Sequence, residues 1–178
     1  MESSAILLAN TVFAVRGRVG DSIQSGAGLE DWLAAHADEL PAAPRAIDGD
    51  ALRRLRDAIR ELLAALAEER APAGDALAVV NRASRSGPTS PVIEWDAGSP
   101  TLRLVPGPAD GSEQFLASLA RSAIELATGS RARDVCACGG PRCVQFVLRD
   151  HPRRAFCSEG CSARARSARY YRRNRPAA

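Results

Sequence analysis

The feature that most limits how this chain can fold is the placement of its cysteines. All five lie between Cys136 and Cys161. Four fall into two knuckles, Cys138-Gly-Gly-Pro-Arg-Cys143 and, after thirteen intervening residues, Cys157-Ser-Glu-Gly-Cys161. Two short loops that each present two thiolates match the demand of a tetrahedral ion such as Zn2+, whose bonds to sulfur are about 2.3 Å long. An odd number of cysteines confined to one region suits metal ligation better than a secreted disulfide framework. Cys136 competes with Cys138 for the part of first ligand. The spacing to Cys143 favours Cys138 and leaves Cys136 as a packed or free thiol. His151 is an alternative donor, and reduced, buried cysteines without metal are the bland reading of the cluster. Four protein ligands leave no open position for substrate, so the expected ion is structural. Gly139, Gly140 and Gly160 are expected to ease the turns around it, and Arg142, Arg153 and Arg154 to offset its net negative charge.

The charge is divided in the same way as the cysteines. Residues 1–130 carry 12 Arg against 18 acidic residues, a net of −6, whereas residues 131–178 carry 12 Arg against 3, a net of +9; there is no lysine. A basic tail on an acidic body points to a polyanionic partner, the alternative being a tail folded back on its own acidic domain. After Cys161 the sequence Ser162-Ala-Arg-Ala-Arg-Ser-Ala-Arg-Tyr-Tyr-Arg-Arg-Asn-Arg175 reads as a helix with Ala165, Ala168 and Tyr171 inward. Arg164, Arg166, Arg169, Arg172 and Arg173 lie around the rest, and with Arg153 and Arg154 they form the expected nucleic-acid contacts. A merely solvated basic helix, or one that binds RNA or an acidic protein, is the competing reading. Val144 to Leu148 has β character, and with Phe156 it should form a small apolar layer over the metal.

The remainder reads as mainly α with a short β-hairpin, an α+β body over residues 1–130 joined to a small module over 131–178. Aromatic residues make up only 4% of the chain, so the core must come from Leu, Ala, Val and Ile. Residues 28–39 predict a short helix closed by Pro41 and Pro44. From Asp50 to about Arg70, Leu52, Leu55, Ile59, Leu62, Leu63 and Leu66 recur at helical spacing, with the charged residues mostly elsewhere on the wheel. Ala71-Pro-Ala-Gly74 breaks the pattern, and Asp75 can cap a helix running to about Ser84. Pro91–Trp95 and Thr101–Val105 predict a hairpin around a longer loop, Asp96 to Pro100. A last helix follows Ser112 as its cap and ends at Gly129. The apolar run Ala5 to Ala9 is a poor signal peptide, and no stretch approaches the roughly 20 apolar residues of a membrane span, so a cytoplasmic protein is expected.

These residues also resemble a known pairing of domains. Cys138-x4-Cys143-x-x-Phe146, Asp150-His-Pro-Arg-Arg154, Cys157-Ser158 and the Arg-rich tail resemble the CGNR zinc finger of bacterial proteins. Leu7-Leu-Ala-Asn-Thr11 and Gly28-Leu-Glu-Asp-Trp-Leu33 resemble the ABATE domain that accompanies it. Where that finger has Cys-Gly-Asn-Arg, this chain has Cys161-Ser162-Ala163-Arg164, and Phe156 stands where Trp is frequent. The resemblance implies a treble-clef-like zinc module ending in a helix and a stress-induced transcription regulator.

A zinc-dependent DNA-binding regulator is therefore expected, with residues 1–130 sensing a small-molecule effector or forming a homodimer. Asn10 and Thr11 are the polar pair suited to a ligand pocket, their plainer use being a helix cap or core hydrogen bond. A zinc-stabilised protein-interaction module is the alternative. No nucleophile elbow, phosphate loop or paired metal motif is present, so no enzymatic function is expected.

Overall fold

The computed structural model describes residues 3–15, 17–96, 99–151 and 153–174. The chain opens with α1 (Ser4–Ala9), whose Ala5, Ile6, Leu7, Leu8 and Ala9 are all buried. A helix apolar all round belongs at the centre of a fold, and α1 packs there against two longer helices, α3 (Gly49–Ala67) and α5 (Gly111–Thr128). Pattern reading missed it because a six-residue helix without a polar face shows no helical period. Also unanticipated was the antiparallel hairpin of β1 (Val12–Val15) and β2 (Arg18–Asp21). Its turn contains Gly17 at φ +81°, a backbone setting that disfavours a side chain.

α2 (Gly26–Ala35) is capped by the Ser25 side chain, which accepts from the Gly28 amide, and it ends at His36, ahead of both prolines. In α3 the Asp48 carboxylate accepts from the Ala51 amide, and Leu52, Leu55, Ile59, Leu62 and Leu63 form the expected buried stripe. Arg56 departs from the expected polar side. It is only 5% exposed and pairs with Asp21 at 2.7 Å and Asp57 at 2.9 Å, so that β2 is pinned to α3 by a buried ion pair. α4 (Ala76–Ser86) follows Asp75, which occupies the cap position without a side-chain bond.

The second hairpin pairs β3 (Thr89–Asp96) with β4 (Ser99–Pro106), and the ladder extends to Asp96 opposite Ser99, so the connection is tighter than the five-residue loop expected. The cap of α5 is Asp110, not Ser112. Asp110 and Glu113 form a reciprocal capping box, while the Ser112 hydroxyl accepts from the Asp48 amide. α5 ends at Gly129 as anticipated. Beyond a single 3-10 turn at Ala132–Asp134 come β5 (Val135–Ala137) and β6 (Phe146–Leu148), paired antiparallel, and finally α6 (Glu159–Arg173).

The small β5–β6 sheet has two different faces. Val135, Phe146 and Leu148 join the main helical core, whereas Cys136 and Val147 turn to the cysteine cluster. The apolar layer expected over the metal is thus a wall shared by both parts of the chain. Among the described residues no helix is long and apolar enough to cross a membrane.

Candidate metal centre

The first knuckle follows directly from β5, and the β5–β6 pairing brings it back toward the start of α6. Cys138 is held by its amide to the Gln145 carbonyl at 2.8 Å, and the Cys143 amide donates to the Gly140 carbonyl at 3.0 Å. The turn between them is made by Arg142 at φ +57°, not by a glycine. Gly140 serves another need: a Cβ there would lie 2.9 Å from the Cys161 Cβ and 3.0 Å from its Sγ, so only glycine allows that close approach. Gly160, by contrast, has room for a side chain. Cys157 precedes α6 and Cys161 lies in its first turn, where the Ser158 hydroxyl accepts from the Cys161 amide.

The four sulfurs of Cys138, Cys143, Cys157 and Cys161 all lie within 4.8 Å of one another. A tetrahedron with arms of about 2.3 Å has edges of about 3.8 Å. The Cys143 and Cys157 sulfurs are 3.8 Å apart, and those of Cys157 and Cys161 3.4 Å, so the set fits a thiolate-bound divalent ion. Cys136 stands outside the set, buried in β5, and its thiol helps hold the Arg149 guanidinium in its charged form. His151 takes no part in the cluster; its Nδ1 accepts from the Arg153 amide in an exposed turn.

Two donors already face these sulfurs. The Cys157 amide donates to the Cys138 Sγ at 3.3 Å, and Arg164 donates through Nη2 to the Cys161 Sγ at 2.9 Å. Compensation of the cluster's negative charge therefore comes from Arg164. Of the three arginines expected in that part, Arg154 pairs with Asp150 at 2.9 Å, and Arg142 packs against Gly17. The arginine kept in Cys161-Ser162-Ala163-Arg164 has a physical use, since it steadies a ligand from one turn along the same helix.

Burial pushes the thiols of Cys143 and Cys157 up, reinforced by hydrogen bonding with neighbouring cysteines. Cys161 is opposed by burial yet drawn down by hydrogen bonds from Cys157 and Ser158. At neutral pH the metal-free cluster accordingly holds protons on Cys143 and Cys157, and an arriving cation must displace them. Affinity should rise with pH by at least about 100-fold per unit near neutral pH, because these two thiols alone release two protons as the ion binds. Competition against a chelator at two pH values measures this slope, and a pH-independent affinity would contradict the arrangement.

The cluster is fastened to the helical body by two side chains. The Asn10 amide group pairs with Phe146 as a strand would, donating from Nδ2 to its carbonyl at 3.0 Å and accepting at Oδ1 from its amide at 2.8 Å. Arg60 donates to the Ala9 carbonyl at 2.6 Å and the Val144 carbonyl at 2.7 Å, and its guanidinium lies 5.2 Å from the centre of the Phe146 ring. Sequence reasoning missed Arg60, whose spacing looked like that of any surface arginine. Thr11 is buried, and its hydroxyl donates to the Leu8 carbonyl at 2.8 Å. Asn10 and Thr11 also line a cavity of about 560 Å3 between the two parts of the chain, together with Asp31, Trp32, His36 and Cys157.

Of the tail residues, Cys161 and Ala165 face inward and Ala168 is half-buried, but Tyr171 is exposed, contrary to expectation. Arg153, Arg154, Arg164, Arg166, Arg169, Arg172 and Arg173 all lie at the surface. Arg166, Arg169 and Arg173 follow at helical spacing along one flank of α6, and Arg166 is steadied by the Ser162 hydroxyl at 2.9 Å. The expected helix residue Arg175 lies outside the described residues.

Fold and site together define a helical α+β body with a docked four-cysteine module that can hold a metal ion and ends in an arginine-rich helix. The chain belongs to the ABATE family: the family model, described as "Putative stress-induced transcription regulator", matches residues 2–130. No curated protein matches the chain.

Proposed function

We propose that the protein is a zinc-dependent, DNA-binding transcription regulator in which the four-cysteine module presents α6 to the nucleic acid. The observation that supports this reading most directly is the pose of α6. Its first turn supplies a ligand to the sulfur cluster, and its outer flank carries Arg166, Arg169 and Arg173 into solvent. Zinc fits the four-thiolate set and its edge lengths, and four protein ligands give it a structural part and no catalytic one. The family's description supplies the regulatory context. Residues 1–130 would then receive a signal or bring two copies together. A small effector has room in the cavity beside Asn10, Thr11 and Trp32, which touches both parts of the chain.

The test is a titration of a fluorescent random-sequence duplex over a salt series. The full chain should bind at low salt with log affinity falling linearly against log salt. Replacing Arg166, Arg169 and Arg173 by Ala should reduce that slope by about 3, roughly one for each phosphate that is no longer neutralised. Lack of binding at low salt, or an unchanged slope in the variant, would count against the reading.

A second reading, a zinc-stabilised protein-docking module, is favoured by Tyr170 and Tyr171, which lie exposed on the same helix. It requires a protein partner that depends on the module and stays bound after nuclease treatment.

A further inference from the structure

The β3–β4 hairpin has an apolar face that is largely exposed among the described residues, only its Leu104 end bordering the body across a cavity shared with Pro41, Pro44 and Phe115. Its register pairs Pro91 with Leu104, Ile93 with Leu102 and Trp95 with Pro100. Cross-strand partners share a face and alternate residues repeat it, so all six side chains lie on one side. None of the six is charged. Ile93 is 76% exposed, Trp95 72%, Leu102 72% and Leu104 56%. The opposite side is a mixed one, with Glu94 ion-paired to Arg103 and with Thr101 exposed. Beyond the pairing of β3 with β4, the hairpin has no extensive packing on another element among the described residues. A lone two-stranded ribbon is marginal in water and gains stability when an apolar face is covered.

We propose that this face packs against the same face of a second copy of the chain, forming a homodimer. Four considerations favour that occupant. Prolines in both strands, Pro91 in β3 and Pro100 and Pro106 in β4, remove ladder donors, so the ribbon is poorly suited to adding a strand at its edge and must be covered from its face. A two-fold axis through the Ile93–Leu102 pair sets the bulky Trp95 end of one ribbon against the smaller Pro91–Leu104 end of the other, and the patch is then self-complementary. The four large side chains alone offer on the order of 600 Å2 per copy, close to the roughly 800 Å2 per partner of a stable interface. The body of the chain is acidic, so an uncharged face is also where two copies meet with least repulsion.

The inference does not depend on nucleic-acid binding, and its test uses the full chain without DNA. Sedimentation equilibrium should show a dimer at about 10 μM. Tryptophan emission should shift to the blue as concentration rises, a change that reports Trp95 because Trp32 is already buried at 7% exposure. Ile93→Lys with Leu102→Lys should raise the dissociation constant by about 100-fold or more. Thr101→Lys, on the opposite side of the same ribbon, should leave it unchanged. A wild-type chain that remains monomeric at about 100 μM, a double variant that still dimerises, or a Thr101→Lys chain that does not would each overturn the proposal.

Discussion

Cys161→Ser is expected to leave the purified protein nearly metal-free after desalting, whereas Cys136→Ser should retain a full complement. The two residues lie close in the fold and are both buried, but only Cys161 belongs to the group of four sulfurs. Its loss also removes the acceptor of the Arg164 guanidinium and leaves that charge beside three remaining thiols. Structural zinc in small modules contributes on the order of 10–16 kcal/mol of apparent binding energy, most of it spent on folding. The segment from Cys138 to α6 has little packing of its own beyond Cys136, Val147, Phe156 and the ligands. Amide hydrogen exchange should therefore accelerate most in α6 and in the knuckle of residues 138–143, with the α3–α5 pair far less affected. Stoichiometric metal in Cys161→Ser, or its loss in Cys136→Ser, would contradict the assignment of ligands.

The second large effect should follow Arg60→Ala. Two hydrogen bonds from one guanidinium join the Ala9 carbonyl of the body to the Val144 carbonyl of the module, and burial makes the charge costly to strand. A hydrogen bond made by a charged group contributes about 1.5–3 kcal/mol. The substitution removes the charge together with its bonds and leaves two carbonyls unsatisfied. A destabilisation of about 3 kcal/mol is expected, corresponding to roughly 6–12 °C in a chain of this size. Arg60→Met, which restores bulk over Phe146 but no donors, should recover only a small part. The specific readout is the rate at which a chelator strips the metal, which should increase in both variants because the module is held less firmly. An unchanged melting temperature and stripping rate would show that the bridge carries no energy.

What could be read from the sequence divides along physical lines. The metal cluster was legible because chelation by short loops fixes residue type and spacing together, and four sulfurs in two knuckles have few other uses. α3 was legible because its leucine stripe is long enough to show a period. α1 was hidden by its own burial, and the β1–β2 hairpin by strands of only four residues each. The partners of Asn10 and Arg60 could not be read, although a helix cap or core hydrogen bond was the plainer expectation for Asn10. Each acts on backbone groups more than eighty residues away in sequence, at Phe146 and Val144, and a backbone carbonyl leaves no trace in residue identity. The left-handed backbone at Arg142 was not legible either, since Gly139, Gly140 and Gly160 were the residues expected to ease the turns.

The two-faced β5–β6 sheet gives the chain a join without a seam. The family match ends at Ser130, and so does the acidic stretch, yet the hydrophobic interior continues through Val135, Phe146 and Leu148. A fragment cut at that point would open α1 and α3 to water and lose the partner of Asn10. The shorter piece left behind would be a ring of sulfurs with half a wall. Evolutionary units and folding units need not coincide, and here a stretch too short to have an interior of its own completes that of its neighbour.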